Sequence, residues 1–172
     1  MQKYSYIIDS CAALCEKHQS RDPLLLAEAD GIHLFPRFDF EQLKGMYMVL
    51  NNWRCIFYKA DLAEPQIAEI IAHELGHDQL HQDYIEAGRE FIDHSLFDPR
   101  SKLEREANFF AAELLLTDRE FFDLMEEGAA LEWAAQTCGY NPNLLLYKAE
   151  LLRSKGYQLS LPFTPRADFL AT

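Results

Sequence analysis

Five residues, His73-Glu74-Leu75-Gly76-His77, constrain this chain more than any others, because their spacing has a meaning only on a helix. Residues four apart lie one turn above the other on the same helical face, so two imidazoles placed this way can reach one metal ion. Glu74, between them, points toward the open coordination position, where a carboxylate can take a proton from water. This H-E-x-x-H spacing is the pattern of zinc hydrolases. A chain that uses it must also supply a continuous helix, a third ligand and a substrate cleft.

The helix is legible. Glu64-Pro65 opens it, since proline is tolerated where the first amides have no intrahelical acceptor. Ile67, Ile70, Ile71, Leu75 and Leu80 form its buried side. Gly76 is the one interruption and costs about 1 kcal/mol relative to alanine. A glycine there predicts that another segment approaches closely.

Before this helix the chain reads as two helices and a small sheet. Tyr6, Ile7, Ile8, Cys11, Leu14 and Cys15 recur at helical spacing over residues 3–18. Asp22-Pro23 starts a short second helix that Gly31 closes. Ile32 to Phe35 alternates and is ended by Pro36, while 46–50 and 53–58 are rich in aromatic and branched residues. Asn51-Asn52 between them can take positive φ, so the pair predicts a β-hairpin. These strands predict a three-stranded antiparallel sheet on the motif helix, with Phe35, Trp53 and Phe57 in its core and Trp53 to Tyr58 as an edge strand able to hold an extended peptide.

Beyond the motif helix, residues 82–100 read as a connection, and a new helix begins near Ser101 and runs to Leu116. Thr117 to Glu120 is a capping box opening a further helix that ends near Gly128. Two more are expected at about 129–138 and 142–154. The tail from Tyr157 to Thr172 contains Pro162 and Pro165 and is too apolar to float free, so it is expected to lie along the body and shape the groove.

Composition bounds the partners. The chain has 172 residues, enough for one domain with a sizeable core. A net charge of −12 argues against nucleic acid or anionic membrane, whose phosphates would be repelled. Cys11, Cys15, Cys55 and Cys138 form no C-x-x-C pair and read as small buried thiols. The N-terminus has no apolar signal core and no apolar run spans a membrane, which makes the expected location cytoplasmic.

For the third ligand, the helix after the motif offers Glu104, Glu106 and Glu113. Glu104 also stands in capping-box relation to Ser101, so on pattern alone it could simply satisfy a helix-start amide. His81, four residues past His77, lacks the glycine turn by which a third histidine could double back, and reads as packing or support. Tyr47, Tyr84 and His94 are candidates for stabilising an oxyanion; His33 and His94 carry no stronger signal.

Taken together, His73-Glu74-Leu75-Gly76-His77, Leu80-His81 and Glu104-Arg105-Glu106-Ala107-Asn108-Phe109-Phe110-Ala111-Ala112-Glu113 resemble the ImmA/IrrE family of metallo-endopeptidases over most of the chain. The resemblance implies a gluzincin-like site with one zinc ion, His73, His77 and Glu104 as ligands, Glu74 as the catalytic base, and Asn108 supporting a ligand histidine. Glu106 has Phe110, not a polar residue, four positions on. The chain departs from the family at Leu116-Thr117, where a methionine–proline pair is usual. It also implies a zincin-like α+β domain: 1–62 N-terminal helices and sheet, 63–116 metal-site helices, 117–156 C-terminal helices, 157–172 extended tail. The substrate class it implies is a helix-turn-helix repressor of a mobile element or stress regulon. The alternative is a zinc-bearing antirepressor that binds its partner without cleaving it.

Overall fold

The helices that start after Asp22 and Thr117 are opened by capping chemistry. Asp22 accepts hydrogen bonds from the backbone amides of Leu24 and Leu25, with Pro23 at the first helical position. Thr117 and Glu120 close a reciprocal box, Thr117 N–H donating to Oε2 of Glu120 at 2.7 Å and Glu120 N–H donating to Oγ1 of Thr117 at 3.2 Å. A computed structural model describes residues 3–86, 99–126 and 131–159. In chain order the elements are α1 (Ser5–His18), α2 (Pro23–Ala29), β1 (His33–Arg37), β2 (Gly45–Leu50), β3 (Trp53–Lys59), α3 (Glu64–Glu86), α4 (Pro99–Leu115), α5 (Asp118–Glu126), α6 (Leu131–Cys138) and α7 (Pro142–Ser154). The architecture is α+β, as expected: a small sheet packs on α3, and helices α4 to α7 follow.

The hairpin forms as its turn residues predict, with Asn51 and Asn52 at φ 49° and 66°. The sheet, however, is mixed. Its order is β1-β3-β2, β2 pairing antiparallel and β1 parallel with β3. The hairpin fixes β3 opposite to β2; β3 then inserts between β2 and β1, where it has to run along β1. Consequently 53–59 is the central strand and not an edge, and the edge that lies against α3 is β2.

Expectations for the aromatic residues also change. Tyr47 and Ile56, paired across β2 and β3, face the core. Phe35 and Phe57 stack on the other face at 5.0 Å, and Trp53 is 58% exposed, stacking on His33 at 4.5 Å. They are outer-face residues, because strand alternation sends them away from α3.

One buried cluster runs from Ile7 and Leu26 through Ile71 and Leu75 to Phe109, Phe110 and Leu151. α3 and α4 lie at its centre, with α1, α2 and the sheet on one side and α7 behind α4. α3 extends to Glu86, further than expected, through a break at His81 (φ −129°, ψ 16°). Among the described residues no helix is long and apolar enough to cross a membrane. All four cysteines are free. His94, the side chain of Tyr84, the end of the fifth helix near Gly128 and the tail from residue 160 lie outside the described residues; Leu159 packs against the core.

Candidate metal centre

The site is made by two helices that come unusually close. A Cβ added to Gly76 would sit 2.8 Å from Cα of Ala107, so only glycine lets α4 cross α3 there. Gly76 stands one residue before His77, and Ala107 lies between Glu104 and Asn108, three and one residues away. The crossing therefore brings the polar residues of both helices face to face.

His73, Glu74 and His77 are buried in α3 at 5%, 7% and 6% exposure. Nε2 of His73 lies 3.1 Å from Nε2 of His77. Glu104 reaches both, Oε2 being 3.2 Å from Nε2 of His73 and Oε1 3.4 Å from Nε2 of His77. Ligand atoms of all three lie within 4.8 Å of one another. The outer nitrogens are engaged elsewhere: Nδ1 of His73 is 2.8 Å from Oδ1 of Asn108, and Nδ1 of His77 is 3.1 Å from Nδ1 of His81. Two imidazole nitrogens and a carboxylate, turned inward and oriented from behind, are a donor set that fits a zinc ion.

The electrostatics fit a shared cation. Burial opposes charge on His73, but Glu104 and Glu74 outweigh it and raise this imidazole. Burial lowers His77 to about 4, which keeps it neutral, the state a metal ligand needs. Glu104 pays for its burial with hydrogen bonds to both histidines, and is held well below the usual carboxylate range. Burial pushes Glu74 up to about 7, partly countered by His73 and by the backbone N–H of Tyr47. β2 passes directly over this carboxylate: a Cβ on Gly45 would stand 2.7 Å from Oε1 of Glu74.

Glu106 and Glu113, the other acidic residues of the helix, are elsewhere. Glu106 turns to His81, Nε2 to Oε2 3.0 Å, and accepts a hydrogen bond from the Tyr6 hydroxyl at 2.5 Å. Glu113 accepts from Nζ of Lys148 at 2.7 Å and of Lys155 at 3.1 Å. Because α4 already begins at Pro99, Glu104 is in its second turn and does not cap its start. Tyr47 is no oxyanion donor: its hydroxyl donates to buried Asp78 at 2.7 Å, and Asp78 also takes Arg54 at 2.9 Å, which ties α3 to the sheet. His33 is on the outer sheet face, stacked on Trp53.

The arrangement missed by sequence reasoning is the one behind His77, where His81, Glu106 and Tyr6 meet. The only local hint was His81 at helical spacing from His77; the partners are 25 and 75 residues away from His81 in sequence.

Residues 27–145 match a peptidase family described as the IrrE N-terminal-like domain, more than half of the chain. The chain is also similar to a protein of Bacillus phage phi105 described as uncharacterized immunity region protein 2. They are 30% identical over 115 residues, covering 67% of this chain and 71% of the phage protein.

Proposed function

We propose that this chain, which belongs to the IrrE N-terminal-like peptidase family, is a zinc-dependent endopeptidase with His73, His77 and Glu104 holding the metal and Glu74 acting as general base. The observation that carries the reading is the convergence of both Nε2 atoms on the Glu104 carboxylate, beside a second, buried carboxylate raised to about 7. When bound, zinc supplies Lewis acidity that polarises the scissile carbonyl and makes water easier to deprotonate. Glu74, buried and next to His73 on α3, accepts the proton of the attacking water and returns it to the leaving amine. The Tyr47 amide orients Glu74, and Asn108 orients His73.

Substrate binding follows from the sheet order. β2 is an edge strand next to Glu74, so an extended peptide adding to it would be carried past the base, held by main-chain hydrogen bonds. The single domain, with no direct role for nucleic acid or membrane, acts in the cytoplasm on a helix-turn-helix repressor. A net charge of −12 suits approach to a basic DNA-binding protein, and the similarity to a phage immunity region protein suits a mobile element.

Glu74→Gln tests this reading. It keeps the size of the side chain and leaves the metal ligands intact, so zinc content should equal wild type while peptide cleavage falls by about 10²–10⁴-fold. A variant that relieves repression as well as wild type would show that binding, not proteolysis, is the activity.

A further inference from the structure

We propose that His81, Glu106 and Tyr6 are positioning residues of the metal centre, a hydrogen-bonded line that locks His77 in the tautomer whose Nε2 is unprotonated and can bind zinc. This rests on His77 being a ligand. The geometry assigns the protons. Nδ1 of His77 and Nδ1 of His81 face each other at 3.1 Å, so one must donate and the other accept. A ligand Nε2 on His77 leaves the proton on its Nδ1, which makes Nδ1 of His81 the acceptor. The His81 proton is then on Nε2, 3.0 Å from Oε2 of Glu106, where a donor is required. The opposite assignment would place a bare imidazole nitrogen against a carboxylate oxygen, acceptor on acceptor.

The line continues outward. Oε1 of Glu106 accepts from the Tyr6 hydroxyl at 2.5 Å, with Nζ of Lys102 at 3.6 Å. His81 is 1% exposed and Glu106 8%, so the His81–Glu106 bond is shielded from water, while Tyr6, 47% exposed, is the solvent end of the line. The helix break at His81 accompanies the contact, its ring lying 5.2 Å from that of His77 and tilted by 53°. His77 thus gains a carboxylate one imidazole removed, where His73 has the Asn108 amide directly. Tyr6 makes α1, otherwise packing, part of the support of the site.

The test uses the full-length chain with His81→Leu, Glu106→Leu, Tyr6→Phe and His81→Gln. Zinc affinity is read by competition with a chromophoric chelator, and the melting temperature of the metal-free protein is read beside it. His81→Leu and Glu106→Leu should each weaken zinc about 10–100-fold. Their double variant should be no weaker than the worse single one, since they act in series. Tyr6→Phe should have a smaller effect. His81→Gln, whose amide can accept from His77 and donate to Glu106, should recover most of the affinity. Wild-type affinity in His81→Leu with only a lower melting temperature would reduce the line to packing and overturn the proposal. If Leu variants do not fold, ¹⁵N NMR of the wild-type zinc-loaded protein decides: His81 protonated on Nε2 supports the line, and on Nδ1 overturns it. Glu104→Ala separates this from the ligand assignment itself. Zinc lost there but kept in His81→Leu removes the line alone, whereas zinc kept in Glu104→Ala removes the ligand set.

Discussion

Glu69 lies one turn before His73 on α3, is 3% exposed, and accepts a hydrogen bond from the backbone amide of Asn141 at 2.6 Å. Burial pushes its carboxyl from 4.5 up to about 7, against the Asn141 bond and the attraction of Lys44. A folded value above the unfolded one means that folding prefers the protonated form. The associated stability is fully present below pH 4.5 and is lost as pH rises through about 7. Glu69→Gln keeps an oxygen for Asn141 and removes the charge. In metal-free protein it should therefore match wild type near pH 4.5 and exceed it at pH 8 by about 1–3 kcal/mol in denaturant melts. A variant less stable than wild type at pH 8 would show that the Glu69 carboxylate is satisfied in its pocket. Glu74, the proposed base, is raised by the same cause and likewise meets a backbone amide, that of Tyr47 on β2.

At the level of elements, the crossing of α3 and α4 decides whether a metal site exists. Alanine is the better helix former by about 1 kcal/mol, yet at Gly76 its methyl would meet Ala107 backbone at 2.8 Å and Phe110 Cβ at 3.1 Å. Backbone cannot rotate aside, so the helices must separate. Gly76→Ala should cost about 1–3 kcal/mol by denaturant melt and weaken zinc binding, because Glu104 moves with α4. Unchanged stability and affinity would show that the helices reseat freely. This crossing was legible in the sequence, since a glycine inside an otherwise strong helix asks for a close neighbour, and Glu104–Asn108 names the neighbour's polar face. Helix starts at Asp22 and Thr117 were legible too, for capping is local chemistry. Strand order was not. Whether a hairpin stacks beside β1 or inserts between it and its own first strand depends on what the sheet packs against, and no short-range pattern in 33–59 records that. The partners of His81 were hidden for the same reason, as Tyr6 and Glu106 are 100 residues apart.

For the whole molecule, α3 and α4 join its parts: the sheet and α2 pack on α3, α1 bears chiefly on α4, and α7 lies behind α4. A metal held by His73 and His77 of α3 and Glu104 of α4 would tie the core together at its centre. The unfolded chain has no such constellation, with Glu104 31 residues after His73, so zinc should bind the folded state almost exclusively. Binding of that kind stabilises by mass action, about 2.7 kcal/mol at free zinc 100 times the dissociation constant. For a domain of this size that corresponds to a rise in melting temperature of roughly 5–10 °C. Chelation should reverse it, and re-addition of zinc should restore it. Glu104→Ala removes one ligand and leaves the crossing intact, so its melting temperature should respond little to either treatment. An equal chelator-dependent shift in wild type and Glu104→Ala would mean that the stabilising metal is held without α4, and that the two helices meet for packing alone.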